Sequence, residues 1–171
     1  MKMKKSIIIC ILTLFYLLIN AQQAKKNTVY VNFFKENVKT KIYNNFNKDK
    51  VIDLIYDDSV EENSYTLEVW KVKSRMIKIS GGSIIKNSAD GWIEFSNIGI
   101  KTRPRNFVIQ LYVEPNYKAK HIAVYQQDEV LVRVTAISSN WLKIILTDKK
   151  RTYNYWLPYE YQCWNPYTTC N

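Results

Sequence analysis

The stretch "VLVRVTAISSNWLKI", residues 130–144, carries the pattern that decides the fold. Val130, Val132 and Val134 alternate with Leu131, Arg133 and Thr135, the two-residue period of a strand whose faces meet different surroundings. Ser138-Ser139-Asn140 is a polar break, and Trp141-Leu142-Lys143-Ile144 begins a second β-prone run. The stretch also recurs. Residues 65–79, "YTLEVWKVKSRMIKI", fall on it without a gap at an offset of 65. Val69 meets Val134, Ser74 meets Ser139, and Lys78-Ile79 meets Lys143-Ile144. The apolar positions Leu67, Val72, Met76 and Ile77 meet Val132, Ile137, Trp141 and Leu142.

Two flanking blocks repeat in the same order. "KIYNNF" (residues 41–46) is similar to "QLYVEP" (110–115), and "GWIEF" (91–95) to "YWLPY" (155–159). Elsewhere the chain is built of short β-branched and aromatic runs between polar breaks. "TVYVNFF", "KVIDLIY", "FVIQLYV", "HIAVY" and "YNYWL" each have the composition and length of a strand. No part of the chain after residue 28 holds a helical period over three turns, so the expected class is all-β. The repeat predicts two tandem units over residues 37–100 and 105–162, with a lead-in strand over 22–36 and a C-terminal tail over 163–171. The alternative is one larger β-barrel or sandwich with a generic strand pattern.

Residues 1–21 read differently. Lys2, Lys4 and Lys5 precede thirteen apolar-rich residues, 7–19, and the small residue Ala21 marks a cleavage point. The apolar run is shorter than the ~20 residues a spanning helix needs. A signal peptide is therefore expected, with no transmembrane anchor after cleavage and a periplasmic or extracellular destination. Its loss removes three lysines and lowers the formal charge from +10 to +7. Of the three cysteines, Cys10 lies inside the apolar run, leaving Cys163 and Cys170. In an oxidising compartment two cysteines this close are expected to form a disulfide. Such a short loop stabilises by roughly 2–3 kcal/mol in the chain-entropy account. Zinc normally takes four ligands, and the chain offers His121 as its single histidine, so no metal and no cofactor are expected.

The order apolar-Tyr, polar loop, two long strands, a Trp/Lys/Ile strand and an aromatic-apolar closing strand resembles the bacterial SH3 (SH3b) domain. That family pairs a Trp-x-Lys/Arg-Val/Ile strand with a later Gly-Trp-Val/Leu. Here these positions read Trp141-Leu142-Lys143-Ile144 and Tyr155-Trp156-Leu157, and Leu157-Pro158-Tyr159-Glu160-Tyr161 resembles the closing Pro-x-x-Tyr turn. The match covers residues 106–162, and more weakly 41–100. It departs from the family pattern at Tyr155, where glycine is expected, and at Met76, where tryptophan is expected. The resemblance implies two small five-stranded barrels and a ligand groove at Tyr112, Trp141, Pro158 and Tyr161, with Trp156 in the barrel core. Grooves of this kind hold extended peptides or sugar faces through apolar area.

Catalytic patterns are weak. His121 has no motif around it, and the cysteines are expected to be oxidised to each other. The acidic group Asp57-Asp58, Glu61-Glu62 reads as a solvated turn. The basic residues Lys101, Arg103, Arg105 and Lys149-Lys150-Arg151 give a cationic surface. Export argues against nucleic acid and for anionic envelope partners. The expected function is a non-enzymatic, exported SH3-like module that binds a cell-wall component or envelope protein. The alternative is a secreted inhibitor or immunity-type protein that blocks a partner enzyme.

Overall fold

In a computed structural model, which describes residues 29–34, 39–56, 65–83, 90–148 and 151–163, the regular structure is β-strand apart from two short 3-10 turns. The strands are β1 (Val29–Phe33), β2 (Lys39–Tyr43), β3 (Val51–Tyr56), β4 (Tyr65–Lys73), β5 (Met76–Ser83) and β6 (Gly91–Glu94). They continue as β7 (Ile98–Thr102), β8 (Val108–Tyr112), β9 (His121–Tyr125), β10 (Leu131–Ser138), β11 (Trp141–Asp148), β12 (Arg151–Leu157) and β13 (Gln162–Cys163). The 3-10 turns, Phe95–Asn97 and Tyr159–Tyr161, follow β6 and β12. The chain is all-β, and its pairings are antiparallel.

The strands form one sheet in the order β3-β2-β6-β5-β4-β1-β7-β10-β11-β12-β8-β9, with β13 added beside β7. Among the described residues this path does not close. Its two halves follow one plan. The run β1-β4-β5-β6-β2-β3 on one side corresponds to β7-β10-β11-β12-β8-β9 on the other. Registers correspond as well. Val31↔Leu67 matches Ile100↔Val132, and Tyr43↔Trp92 matches Tyr112↔Trp156. Each central hairpin has one bulge at the same place, between Val69 and Lys71 in β4 and between Val134 and Ala136 in β10. Trp70 and Thr135 are the extra residues, and a bulge of this kind sharpens the local twist. Each hairpin also turns through a serine at positive φ, Ser74 (54°) and Ser139 (52°).

Strand β1 joins the halves, pairing with β4 through Val29–Val31 and with β7 through Asn32 and Phe33. The boundary expected after residue 100 falls inside β7, which lies in the middle of the sheet. Strand β2 was hidden for a related reason. Its sequence KTKIY alternates exposed Lys39 and Lys41 with buried Thr40 and Ile42, which looks polar by composition alone.

The core follows the duplicated registers. Ile42, Ile77, Ile79 and Ile93 of one half, and Leu111, Leu142, Ile144 and Leu157 of the other, are all fully buried. They belong to one hydrophobic cluster that runs through both halves. Each such side chain contributes roughly 1.5–3 kcal/mol on leaving water. Gly91 lets β6 lie against β2. Its φ is +155°, and a Cβ there would stand 2.4 Å from Ile42 Cγ2 and 2.9 Å from the Tyr43 carbonyl oxygen.

Candidate functional site

The second half brings Tyr112, Tyr117, His121 and Trp141 together. Tyr112 ends β8 and Trp141 begins β11, on neighbouring sides of β12 in the strand order. Their rings meet edge to face with centroids 5.2 Å apart and planes at 84°. Such pairs prefer this arrangement because the positive ring edge faces the negative π-face. Both residues are 5% exposed. His121, at the start of β9 and opposite Tyr112 in the ladder, adds a ring 5.1 Å from that of Tyr112.

The loop after β8 then folds over this pair. Tyr117 lies 4.7 Å from Trp141 and 5.9 Å from Tyr112, ring to ring. Its hydroxyl donates to Glu160 Oε2 at 2.8 Å, in the 3-10 turn that follows β12. Asn116 shapes the loop: its Oδ1 accepts from the Lys118 backbone N–H at 2.9 Å, a side-chain turn typical of asparagine. The groove between Tyr112 and Trp141 is thus filled by a ring from the chain itself. Tyr117 remains 58% exposed as a residue, so it forms the outer surface of the cluster.

Pro158 is buried and Tyr161 half-buried against the core. The turn holding them is tied down on two sides. Arg103 N–H donates to the Tyr161 carbonyl at 2.8 Å, and buried Gln162 donates through Nε2 to the carbonyls of Asn140 (2.8 Å) and Leu157 (3.1 Å). The Arg105 guanidinium lies 6.0 Å from the centre of the Tyr161 ring. Tyr112, Trp141, Tyr117 and Glu160 therefore form one linked cluster, with Tyr161 beside it. Tyr117 and Glu160 are absent from the residues singled out by sequence, because a tyrosine in "EPNYKAK" looks like an ordinary polar loop.

Burial and the Glu160 carboxylate set the local electrostatics. Burial first, then the hydrogen bond to Glu160 and its negative charge, push the Tyr117 hydroxyl up to about 12. Burial and Glu160 also raise Tyr112 and Tyr161, with Arg105 acting in the opposite sense on Tyr161. These phenols stay protonated, as donors, across the neutral range.

Trp156 departs from the expected core position. It is half-buried, faces Lys143 across the ladder, and has the Lys143 ammonium 5.9 Å from its ring centre. The corresponding Trp92 of the first half is 9% exposed and packs edge-on against Phe46 at 5.8 Å. Cys163 is 1% exposed and disulfide-bonded, which removes its thiolate from any nucleophilic role. Cys170, the rest of the tail, Lys149-Lys150, the acidic group at residues 57–62 and the segment 1–21 lie outside the described residues. Among the described residues no cluster of three or more His, Cys, Asp or Glu side chains is placed to hold a metal ion, and no helix is long and apolar enough to cross a membrane.

Comparison with protein-family models, curated proteins and solved structures finds no match to this chain.

Proposed function

We propose that the chain is an exported, non-enzymatic binding module, built as two tandem SH3-like units, that recognises a peptide, glycan or protein of the cell envelope. The observation that carries the reading is the convergence of Tyr112, Tyr117, Trp141 and Tyr161 beside Glu160, drawn from separate segments of the second half. The matching registers of the two halves support the tandem arrangement, and the charged, apolar start of the chain supports export. A Cys163–Cys170 disulfide completes the proposal.

The filled groove refines how binding works. Ligand meets the faces of Tyr117 and Tyr161 first, and reaches Tyr112 and Trp141 only where the Tyr117 ring swings out. Aromatic faces suit sugar rings and proline-rich or extended peptides because they supply apolar area at small entropic cost. Purified protein is incubated with isolated cell wall and, separately, with an envelope protein extract. Retention by one of these that falls in both Tyr117→Ala and Tyr161→Ala supports the reading. Retention by neither, or retention untouched by both substitutions, overturns it.

A further inference from the structure

Among the described residues strand β9 ends the sheet path, and its backbone polarity can be read from the bonds at its two ends. Val113 N–H donates to the Lys120 carbonyl at 3.0 Å, and Gln126 N–H to the Phe107 carbonyl at 2.8 Å. The register Val108↔Tyr125 to Tyr112↔His121 runs between them without a shift. In an antiparallel ladder, alternate residues point their N–H and C=O to opposite sides. Ile122 and Val124 therefore bond to β8, whereas His121, Ala123 and Tyr125 turn their backbone groups outward. The side chains of these three are exposed too, Tyr125 to 68%.

Edge strands are commonly blunted by proline, a bulge or a charge within the strand. "HIAVY" has no proline, carboxylate, lysine or arginine, and its ladder has no bulge. The charges sit at its ends instead, Lys118 and Lys120 before it and Asp128 and Glu129 after it. We propose that two copies of the chain associate through this edge, β9 against β9, antiparallel about a two-fold axis at Ala123. The register follows from the outward groups: Ala123 faces Ala123 of the second copy, and His121 faces Tyr125. This places Lys118 opposite Asp128 at each end. A parallel pairing would instead set Lys118 beside Lys118, so the charges select the antiparallel, self-complementary arrangement. Ala123 at the axis lets the backbones approach without a bulky side chain.

A second feature lies at the same edge. Arg105 and Val108 bond reciprocally across a two-residue turn, with Asn106 at φ 51° and Phe107 at φ 62°. Asparagine tolerates that region, but phenylalanine is held there against its preference. Phe107 is 56% exposed and lies 6.2 Å from the Tyr125 ring. An aromatic pair displayed on a strained turn beside an open edge fits an anchor that packs next to His121 of the second copy.

The test is the mass of the full chain by sedimentation equilibrium over a dilution series. A dimer is expected for the wild type. Ala123→Pro removes an N–H that faces away from β8, so it should give a monomer with unchanged circular dichroism and unfolding midpoint. Asp128→Lys should weaken association by about tenfold or more, and adding Lys118→Asp to that chain should restore it. If Ala123→Pro does not fold, the charge-exchange pair decides. A wild type that stays monomeric throughout, or a dimer indifferent to these substitutions, overturns the proposal.

Discussion

Replacing Trp141 by alanine separates a packing residue from a ligand-facing one. The side chain is 5% exposed and touches two rings, Tyr112 at 5.2 Å and Tyr117 at 4.7 Å. Truncating a buried tryptophan costs about 3–5 kcal/mol, combining lost transfer free energy with the cavity left behind. The loop bearing Tyr117 can follow the shrinking side chain inward, which points to the lower half of that range. Each aromatic pair adds about 0.5–1.5 kcal/mol beyond buried area. Trp141→Met imports the residue of the equivalent position in the first half, where Met76 is 2% exposed. It keeps most of the apolar volume but loses the ring pairs, so about 1–3 kcal/mol should go. The assay is urea unfolding followed by far-UV circular dichroism, comparing midpoints at constant slope. A loss below about 1 kcal/mol for Trp141→Ala would refute the reasoning, because a ring that packs this tightly cannot be removed so cheaply.

Three other outcomes follow from the geometry. An ultraviolet pH titration should show Tyr117 ionising near 12, and Glu160→Gln should lower that value while burial, the larger cause, still holds it above the ordinary 10.0. Because the folded-state value lies above the unfolded one, its stabilising contribution is complete below pH 10 and disappears between about 10 and 12; solvent screening at this exposed group limits it to about 1 kcal/mol. Gly91→Ala must place a methyl 2.4 Å from Ile42 Cγ2 at an unfavourable φ, and should cost about 2–4 kcal/mol by thermal or urea unfolding. Cys163→Ser should cost about 2–3 kcal/mol through loss of the disulfide; a wild-type chain whose thiols all react with a thiol reagent would contradict this.

The strands were legible where side chains alternate without interruption, as in Val130–Val132–Val134, of which Val132 and Val134 are buried. The offset of 65 between residues 65–79 and 130–144 reappears in the ladders, where Val69↔Ile79 corresponds to Val134↔Ile144. What escaped was set by partners distant in sequence. Residues 98–102, IGIKT, are not among the strand-like runs read from sequence, yet β7 is flanked by β1 and β10 and takes β13 in addition. A glycine, a lysine and a threonine are tolerable there because neighbours supply the packing; a Cβ on Gly99 would stand 2.8 Å from the Val132 carbonyl oxygen. The site shows the same limit. Tyr112 and Trp141 were visible through the spacing of a resemblance, but Tyr117 gains its role from a loop conformation and a carboxylate forty-three residues away.

The two halves share a frame and differ in what that frame carries. At equivalent positions the first half has Tyr43, Met76, Glu94, Ser96 and Asn97 where the second has Tyr112, Trp141, Pro158, Glu160 and Tyr161. The aromatic cluster needs ring area at Trp141 and Tyr161 and a carboxylate to hold the Tyr117 hydroxyl, and the first half supplies none of these at those places. There, Glu94 instead meets Lys48 at 2.7 Å, and the Lys73 ammonium lies 3.3 Å from the Phe46 ring centre. The fully buried positions tell the opposite story, since Ile42 and Leu111, Ile77 and Leu142, and Ile93 and Leu157 are interchangeable aliphatic groups. A core position tolerates only side chains of similar volume, whereas a loop or turn position is free to change chemistry without disturbing the ladder beneath it. Recognition by this chain, as proposed, therefore belongs to the second half, and the first half is joined to it through β1, the strand that pairs with both β4 and β7.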